Sequence, residues 1–131
     1  MSKYFKIPVF AILSSLLFST QCDEDKPVTF EDDQADLIAF KTEIKNLVST
    51  SICSDDFECQ YIAFNSKPCG SAWEYLIYST SINNDKLEAM VESYNAQEKD
   101  FNERWGIASD CAVVLPPTSI SCENNICVAV N

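Results

Sequence analysis

The chain has 131 residues, a length that suits one domain with a single core. It carries 9 basic and 20 acidic side chains, a net charge of −11, so nucleic acid is disfavoured as a partner for want of clustered Lys and Arg. It has no histidine, which removes the usual proton shuttle near neutral pH, Ser-His-Asp and Cys-His catalytic pairs, and His-ligated zinc.

Residues 1–21 read as a secretory signal peptide. Lys3 and Lys6 give a positive start, the segment IPVFAILSSLLF (7–18) is apolar, and Ser19 and Thr20 follow. A single membrane-spanning helix is the alternative, but the apolar run falls well short of the roughly twenty residues a span needs. Cys22, directly after it, resembles the lipid-acceptor cysteine of bacterial lipoproteins. Ser19 and Gln21 stand where a usual lipobox has a Leu-like and a small residue, so ordinary cleavage with Cys22 free or paired is the competing fate. Parity favours lipidation, because the chain has 7 cysteines and removing Cys22 leaves an even set able to pair. A membrane is therefore an expected partner, reached through a lipid anchor on Cys22. Each buried methylene adds about 0.8 kcal/mol of membrane affinity, so two or three acyl chains anchor firmly. Loss of Lys3 and Lys6 makes the exported chain still more acidic, and anionic lipid repels such a body beyond its anchor.

Residues 22–31, beginning CDEDKPVTF, read as an acidic tether, and residues 32–131 as a single α+β domain. An acidic run after a lipidated cysteine also resembles the surface-export signal of lipoproteins in Bacteroidetes-type bacteria. A first helix is predicted near 32–48, from Leu37, Phe40, Ile44, Leu47 and Val48 at helical spacing, with Thr29 as a cap and Glu31, Asp32 and Asp33 at the positive end of its dipole. CQYIAF (59–64) and CAVVL (111–115) read as strands. GSAWEYLIYSTS (70–81) fits both periods and is read as a short helix or turn starting after Gly70. A second helix is predicted over 86–105. Leu87, Met90, Val91, Tyr94, Phe101 and Trp105 form its stripe, Asp85 and Glu88 its capping box, and Gly106 its C-terminal stop. Lys99–Glu103 and Asp100–Arg104 are expected as ion pairs on its wet side. SISC (119–122) and CVAV (127–130) flank Asn124-Asn125, a two-residue hairpin turn, with Glu123 opposite Ile126 and Cys122 opposite Cys127.

Six cysteines, Cys53, Cys59, Cys69, Cys111, Cys122 and Cys127, are expected to form three disulfides in an oxidising compartment. A cross-strand Cys122–Cys127 bridge is geometrically possible. The competing arrangement has each of the two tying the hairpin to another element, and spacing leaves both open. Asp55, Asp56 and Glu58 resemble a hard-cation cluster but lack EF-hand spacing and glycine, and read as a solvated turn. Trp73, Tyr75, Tyr78, Tyr94 and Trp105 are a candidate stacking platform for a sugar or peptide, although aromatics at such spacing usually form core. Tyr75 and Tyr78 are the candidate ligand-binding residues, because tyrosine hydroxyls favour wet edges. Lys67 beside Cys69 suggests an activated thiol, but a structural disulfide is the default there. Leu115-Pro116-Pro117 reads as a stiff exposed turn of the kind a protease inhibitor presents. Acidic residues suited to glycoside hydrolysis are plentiful, yet nothing singles out a pair.

The stretches CSDDFECQYIAF, KPCGSAWEYLIYS, YN (94–95), SDC (109–111) and CENNICV together resemble small uncharacterised bacterial lipoproteins, over about residues 53–128. These share C-x5-C, K-P-C-G-x-x-W-x-Y-L-x-Y-S, S-D-C and C-x4-C-V. The resemblance implies bacterial origin and export; it implies no activity and no functional residues. The expected architecture is α+β, two helices on a small antiparallel sheet stapled by three disulfides. The expected function is a non-enzymatic envelope lipoprotein without cofactor or metal, displaying a binding module for a protein or small ligand. Its location would be the outer membrane or cell surface, or otherwise the periplasm or medium. A secreted hydrolase inhibitor, using a loop at Leu115–Thr118 or Lys67–Gly70, is the alternative, and a small envelope enzyme a weaker third.

Overall fold

A computed structural model describes residues 26–130 of the chain. The signal segment, Cys22 and the start of the tether lie outside the described residues. The elements in order are α1 (Phe30–Ser49), β1 (Cys59–Ser66), β2 (Ala72–Ser79), α2 (Asn84–Trp105), β3 (Ser119–Glu123) and β4 (Ile126–Val130). They form two helices and two separate two-stranded antiparallel sheets, β1–β2 and β3–β4. The α+β class is as expected, with two hairpins in place of one sheet.

Thr29 caps α1 in a reciprocal box: Asp32 N–H donates to the Thr29 hydroxyl and Thr29 N–H donates to the Asp32 carboxylate. The helix therefore starts at Phe30, two residues ahead of the predicted boundary. For α2 the predicted Asp85 cap gives way to Asn83, whose side chain accepts from Lys86 N–H at 2.9 Å. Gly106 ends α2 at φ 61°, a left-handed conformation glycine adopts without a Cβ penalty. Arg104 does not pair with Asp100. It reaches Asp33 on α1 at 2.6 Å, and the Trp105 indole N–H donates to the same carboxylate at 2.9 Å. Lys99–Glu103 is present at 3.9 Å, but both groups are exposed and the pair contributes little.

The segment predicted as a short helix after Gly70 is the strand β2. Lys67-Pro68-Cys69-Gly70 is the hairpin turn, closed by Gly70 N–H donating to the Lys67 carbonyl at 2.8 Å. Pro68 presets one turn dihedral and Gly70 supplies φ 87°. The register runs from Cys59 opposite Ser79 to Ser66 opposite Ala72. One face of this hairpin puts Phe64, Leu76 and Tyr78 against the helices, where they pack with Ile44, Leu87, Val91 and Tyr94. That is the core.

The β3–β4 hairpin has the expected register, with Glu123 opposite Ile126, Cys122 opposite Cys127, and Asn124 and Asn125 both at positive φ. None of its residues is buried. The cross-strand bridge is not formed. Cys122 pairs with Cys53 and Cys127 with Cys59, while Cys69 pairs with Cys111. Facing register does not decide the partner here, because Cys53 ahead of β1 and Cys59 on β1 lie against the same hairpin. Residues 111–115 form no strand; they are exposed and carry no regular secondary structure.

Candidate functional site

The sequence places a helical stripe on α2 that should stay apolar along its length. It does so through Leu87, Val91 and Tyr94, all buried, and then changes character at Glu98 and Asn102, one and two turns further along the same face. These two polar groups meet the end of β1. Ser66 N–H donates to the Glu98 carboxylate, and Asn102 Nδ2 donates to the Ser66 carbonyl at 2.8 Å. Both backbone groups of an edge-strand residue are thus satisfied by helix side chains. Tyr94 OH donates to the other Glu98 oxygen at 3.3 Å.

Above this junction lies a groove of about 590 Å³. The α1 residues Phe30, Gln34, Ile38 and Lys41 form one side, and Tyr94, Glu98, Phe101 and Asn102 of α2 the other; Asn65, Trp73 and Glu74 come from the hairpin. The lining combines apolar and aromatic side chains with a few polar and charged groups, the usual build of a small-molecule site. Asn65 stands at φ 63° and is only 4% exposed. Its Nδ2 donates to Glu74 Oε1 at 2.8 Å, and that bond fixes which end of the amide faces the carboxylate. The opposite end, Asn65 Oδ1, is buried without a hydrogen-bond partner. Leaving such a group unmet costs about 1–3 kcal/mol.

The two groove carboxyls are tuned apart. Burial pushes Glu74 up, yet the ammoniums of Lys45 at 3.0 Å and Lys41 at 3.4 Å more than offset it and hold this carboxyl below its ordinary range. Burial raises Glu98, with the Glu74 charge acting in the same direction, against the opposing pull of Ser66 N–H, Lys41 and Tyr94. Burial and then Glu98 push the Tyr94 hydroxyl up as well. A depression of about 190 Å³ near the groove is lined by Asp33, Asp36, Asp100 and Arg104, and its cation is already paired to Asp33.

Trp73 stands 42% exposed on the groove wall, with the Lys67 ammonium 4.6 Å from its ring centroid. Lys67 itself is 3% exposed. Its ammonium donates to the Ala112 carbonyl at 2.7 Å and contacts Asp110 at 3.2 Å. The lysine of the K-P-C-G stretch therefore does not activate Cys69, which is oxidised to Cys111. It holds the chain on either side of Cys111 to the hairpin turn.

The predicted platform is divided. Tyr78 is 2% exposed, its hydroxyl donates to Gln60 at 3.2 Å, and burial followed by the Glu88 charge raises its pKa; it is a core residue rather than one at a wet edge. Tyr75 is half-buried and stacks edge-to-face on Tyr61 at 5.7 Å, and neither lines the groove. Trp105 packs on Phe30. Of the five, Trp73 and Tyr94 reach the groove. Asp55 and Asp56 are exposed in a turn closed by Ser54 and Phe57. Sequence reasoning missed Lys41, Asn65, Glu74 and Glu98. The available signal was Glu98, a charge one turn beyond Tyr94 in an apolar stripe.

No family model, curated protein or solved structure matches the chain.

Glu98 binds its proton more tightly in the folded chain than in the unfolded one. Its contribution to stability is therefore fully present below the ordinary carboxyl value of 4.5 and is lost as pH rises through the raised folded value. Glu98→Gln, which stays neutral, is expected to gain in urea midpoint on the wild type as pH rises from about 4.5 toward neutrality, and to match it most closely in acid. Glu74 acts in the opposite sense, its contribution being lost as pH falls below the ordinary range. Parallel urea titrations of wild type and Glu98→Gln across this window check the sign.

Proposed function

We propose that the chain is an exported cell-envelope lipoprotein, related to the small bacterial lipoproteins it resembles and anchored by acyl chains on Cys22. Its α+β domain acts as a non-enzymatic binding module whose ligand sits in the α1–hairpin–α2 groove. One observation carries the binding site: a groove of about 590 Å³ between the helices and the hairpin, in which the exposed Trp73 joins Phe30, Ile38 and Phe101 beside Lys41 and Glu98. Binding is favoured over catalysis because both groove carboxyls are engaged, Glu98 by Ser66 and Tyr94, and Glu74 by two lysines and Asn65. Three disulfides suit an oxidising location outside the cytoplasm. No helix among the described residues is long and apolar enough to cross a membrane; in this reading the anchor is a lipid on Cys22. An outer-membrane or cell-surface position follows from the acidic run after Cys22.

The experiment is amide and indole NMR of the labelled full chain with a library of neutral, cationic and anionic fragments. Shifts are expected to concentrate at the Trp73 indole, Asn65 and Tyr94. Shifts scattered over the surface, or gathered at Tyr61 and Tyr75, would contradict the groove.

A second reading, hydrolase inhibition, is supported by the exposure of Val113 at 70% and Leu115 at 77%. The segment holding them is fixed at one end by Cys69–Cys111 and the Lys67–Ala112 bond, and at the other by Thr118 donating to the Val130 carbonyl at 3.1 Å. Lys67–Gly70 fits less well as bait, since Lys67 is buried. Against a panel of serine and cysteine proteases this reading expects inhibition that Leu115→Asp abolishes; inhibition that survives the substitution, or none at all, removes it.

A further inference from the structure

We infer that the sulfurs of Cys53, Cys59, Cys122 and Cys127 form a thiol-triggered switch, in which the β3–β4 hairpin exchanges its two long-range bridges for two local ones. In the local form Cys53 pairs with Cys59 and Cys122 with Cys127, and the hairpin is released from the core. The inference stands apart from the groove and from the anchor at Cys22.

The two bridges lie side by side. The sulfurs of Cys53, Cys59 and Cys127 fall within 4.8 Å of one another, although Cys53 belongs to one bridge and the other two to its neighbour. Cys122 faces Cys127 across the hairpin, one pair in from the two-residue turn. That is a non-hydrogen-bonded position, where a Cα spacing of about 4.5 Å suits a disulfide. Each cysteine therefore already has its alternative partner as a neighbour.

The exchange needs a catalytic thiol and no net oxidant or reductant. A thiolate attacks the sulfur of Cys122, an exposed residue; a mixed disulfide forms and Cys53 leaves as thiolate. Cys53 is buried, with the Cys59 sulfur within 4.8 Å. It attacks that sulfur, the Cys53–Cys59 bond forms, and Cys127 leaves as thiolate. Cys127 then attacks the Cys122 sulfur opposite it, the Cys122–Cys127 bond forms, and the original thiolate departs. Two protein disulfides enter the sequence and two remain.

Opposing effects set the balance between the forms. The long-range bridges close loops of nearly 70 residues, whereas the local ones close a C-x5-C and a C-x4-C loop. Closing the short loops costs less chain entropy, which favours the local form. Docking favours the other form: β4 packs along β2, β3 touches β1, and Cys53 and Asn125 exchange two hydrogen bonds at 3.1 and 3.2 Å. No residue of β3 or β4 is buried, so the packing held in reserve is small. This makes the hairpin the two-state element that the thiol unlocks. Release uncovers the face of β1–β2 that bears Cys59, Tyr61 and Ile77, opposite the core.

The test is thiol exchange on the full native chain, followed by peptide mapping. 2-Mercaptoethanol with its disulfide is the probe, at ratios that keep the protein fully oxidised. A neutral thiol suits cysteines flanked by Glu58 and Glu123. Samples are quenched with acidic N-ethylmaleimide and cleaved after glutamate and aromatic residues. Before thiol is added, no peptide linking Cys53 to Cys59 is expected. With thiol that peptide is expected to accumulate, with Cys127 joined to the peptide of Cys111 and Cys122. Hydrogen exchange reads the structural change: the Cys53 amide, which donates to Asn125, should lose protection while the Val91 and Tyr94 amides keep theirs. Asn125→Gly keeps the positive φ and removes the side-chain bond to the Cys53 carbonyl, so it is expected to raise the locally paired fraction about fivefold. Should that variant misfold, mapping of the wild type decides the inference by itself. Absence of the Cys53–Cys59 peptide at every thiol ratio overturns the inference. So does its appearance only with loss of Val91 and Tyr94 protection, or only among scrambled pairs that include Cys69 and Cys111. An unchanged fraction in a folded Asn125→Gly overturns it as well.

Discussion

The β3–β4 hairpin contributes no buried residue, and two disulfides hold it to the rest of the domain. A lone two-stranded hairpin is marginal in water. Here it is tied by Cys53–Cys122 and Cys59–Cys127 and by a reciprocal pair of bonds, Cys53 N–H to the Asn125 carbonyl at 3.1 Å and Asn125 Nδ2 to the Cys53 carbonyl at 3.2 Å. Each bridge spans nearly 70 residues, and closing a loop of that length in the unfolded chain is worth about 4 kcal/mol on the chain-entropy account. The two loops overlap almost completely, so their effects do not add in full. The position of the β3–β4 hairpin depends on these bonds.

The remainder of the domain follows from one helix face. The inward stripe of α2 first closes the core, through Leu87, Val91 and Tyr94, and then turns polar where β1 ends. Glu98 and Asn102 grip Ser66 there, and the hairpin turn that follows carries Lys67 inward. Lys67 in turn fixes Ala112 beside the Cys69–Cys111 bridge. The core, the groove and the loop over residues 107–118 are therefore successive stations on one chain of contacts. Replacing Glu98 with an apolar residue would strip Ser66 N–H of its partner, so the polar break in the stripe has a structural role as well as lining the groove.

Much of this was legible from residue spacing. Both helices follow from their 3.6-residue periods, and the Asn124-Asn125 turn sets the register of the last hairpin correctly, because a two-residue turn with positive φ leaves one pairing. The helix starts shifted because Thr29 and Asn83 offer better cap geometry than the predicted boundaries assumed. β2 was misread because Trp73, Leu76 and Ile77 satisfy helical spacing, while the decisive signal lay ahead of them in the Pro68–Gly70 turn. The CAVVL segment carries strand composition but finds no strand partner; a lysine side chain takes the Ala112 carbonyl instead. Disulfide connectivity could not be read from spacing, since the sulfurs of Cys53, Cys59 and Cys127 lie within 4.8 Å of one another and Cys122 faces Cys127. The groove was hidden for a related reason: its lining comes from the end of β1, from β2 and from both helices, so only folding assembles it.

The connectivity is the claim on which the architecture stands, and the sequence offers a convenient way to read it. Glu58 separates Cys53 from Cys59 and Glu123 separates Cys122 from Cys127. Tyr61 and Phe64 separate Cys59 from Cys69, so cleavage of the unreduced native protein after glutamate and after aromatic residues, followed by mass spectrometry, distinguishes the pairings. The account predicts a linked pair holding Cys59 with Cys127 alone, and Cys53 joined to the peptide of Cys111 and Cys122, which also carries Cys69. A pair joining Cys122 to Cys127, or free thiols at these positions, would contradict it.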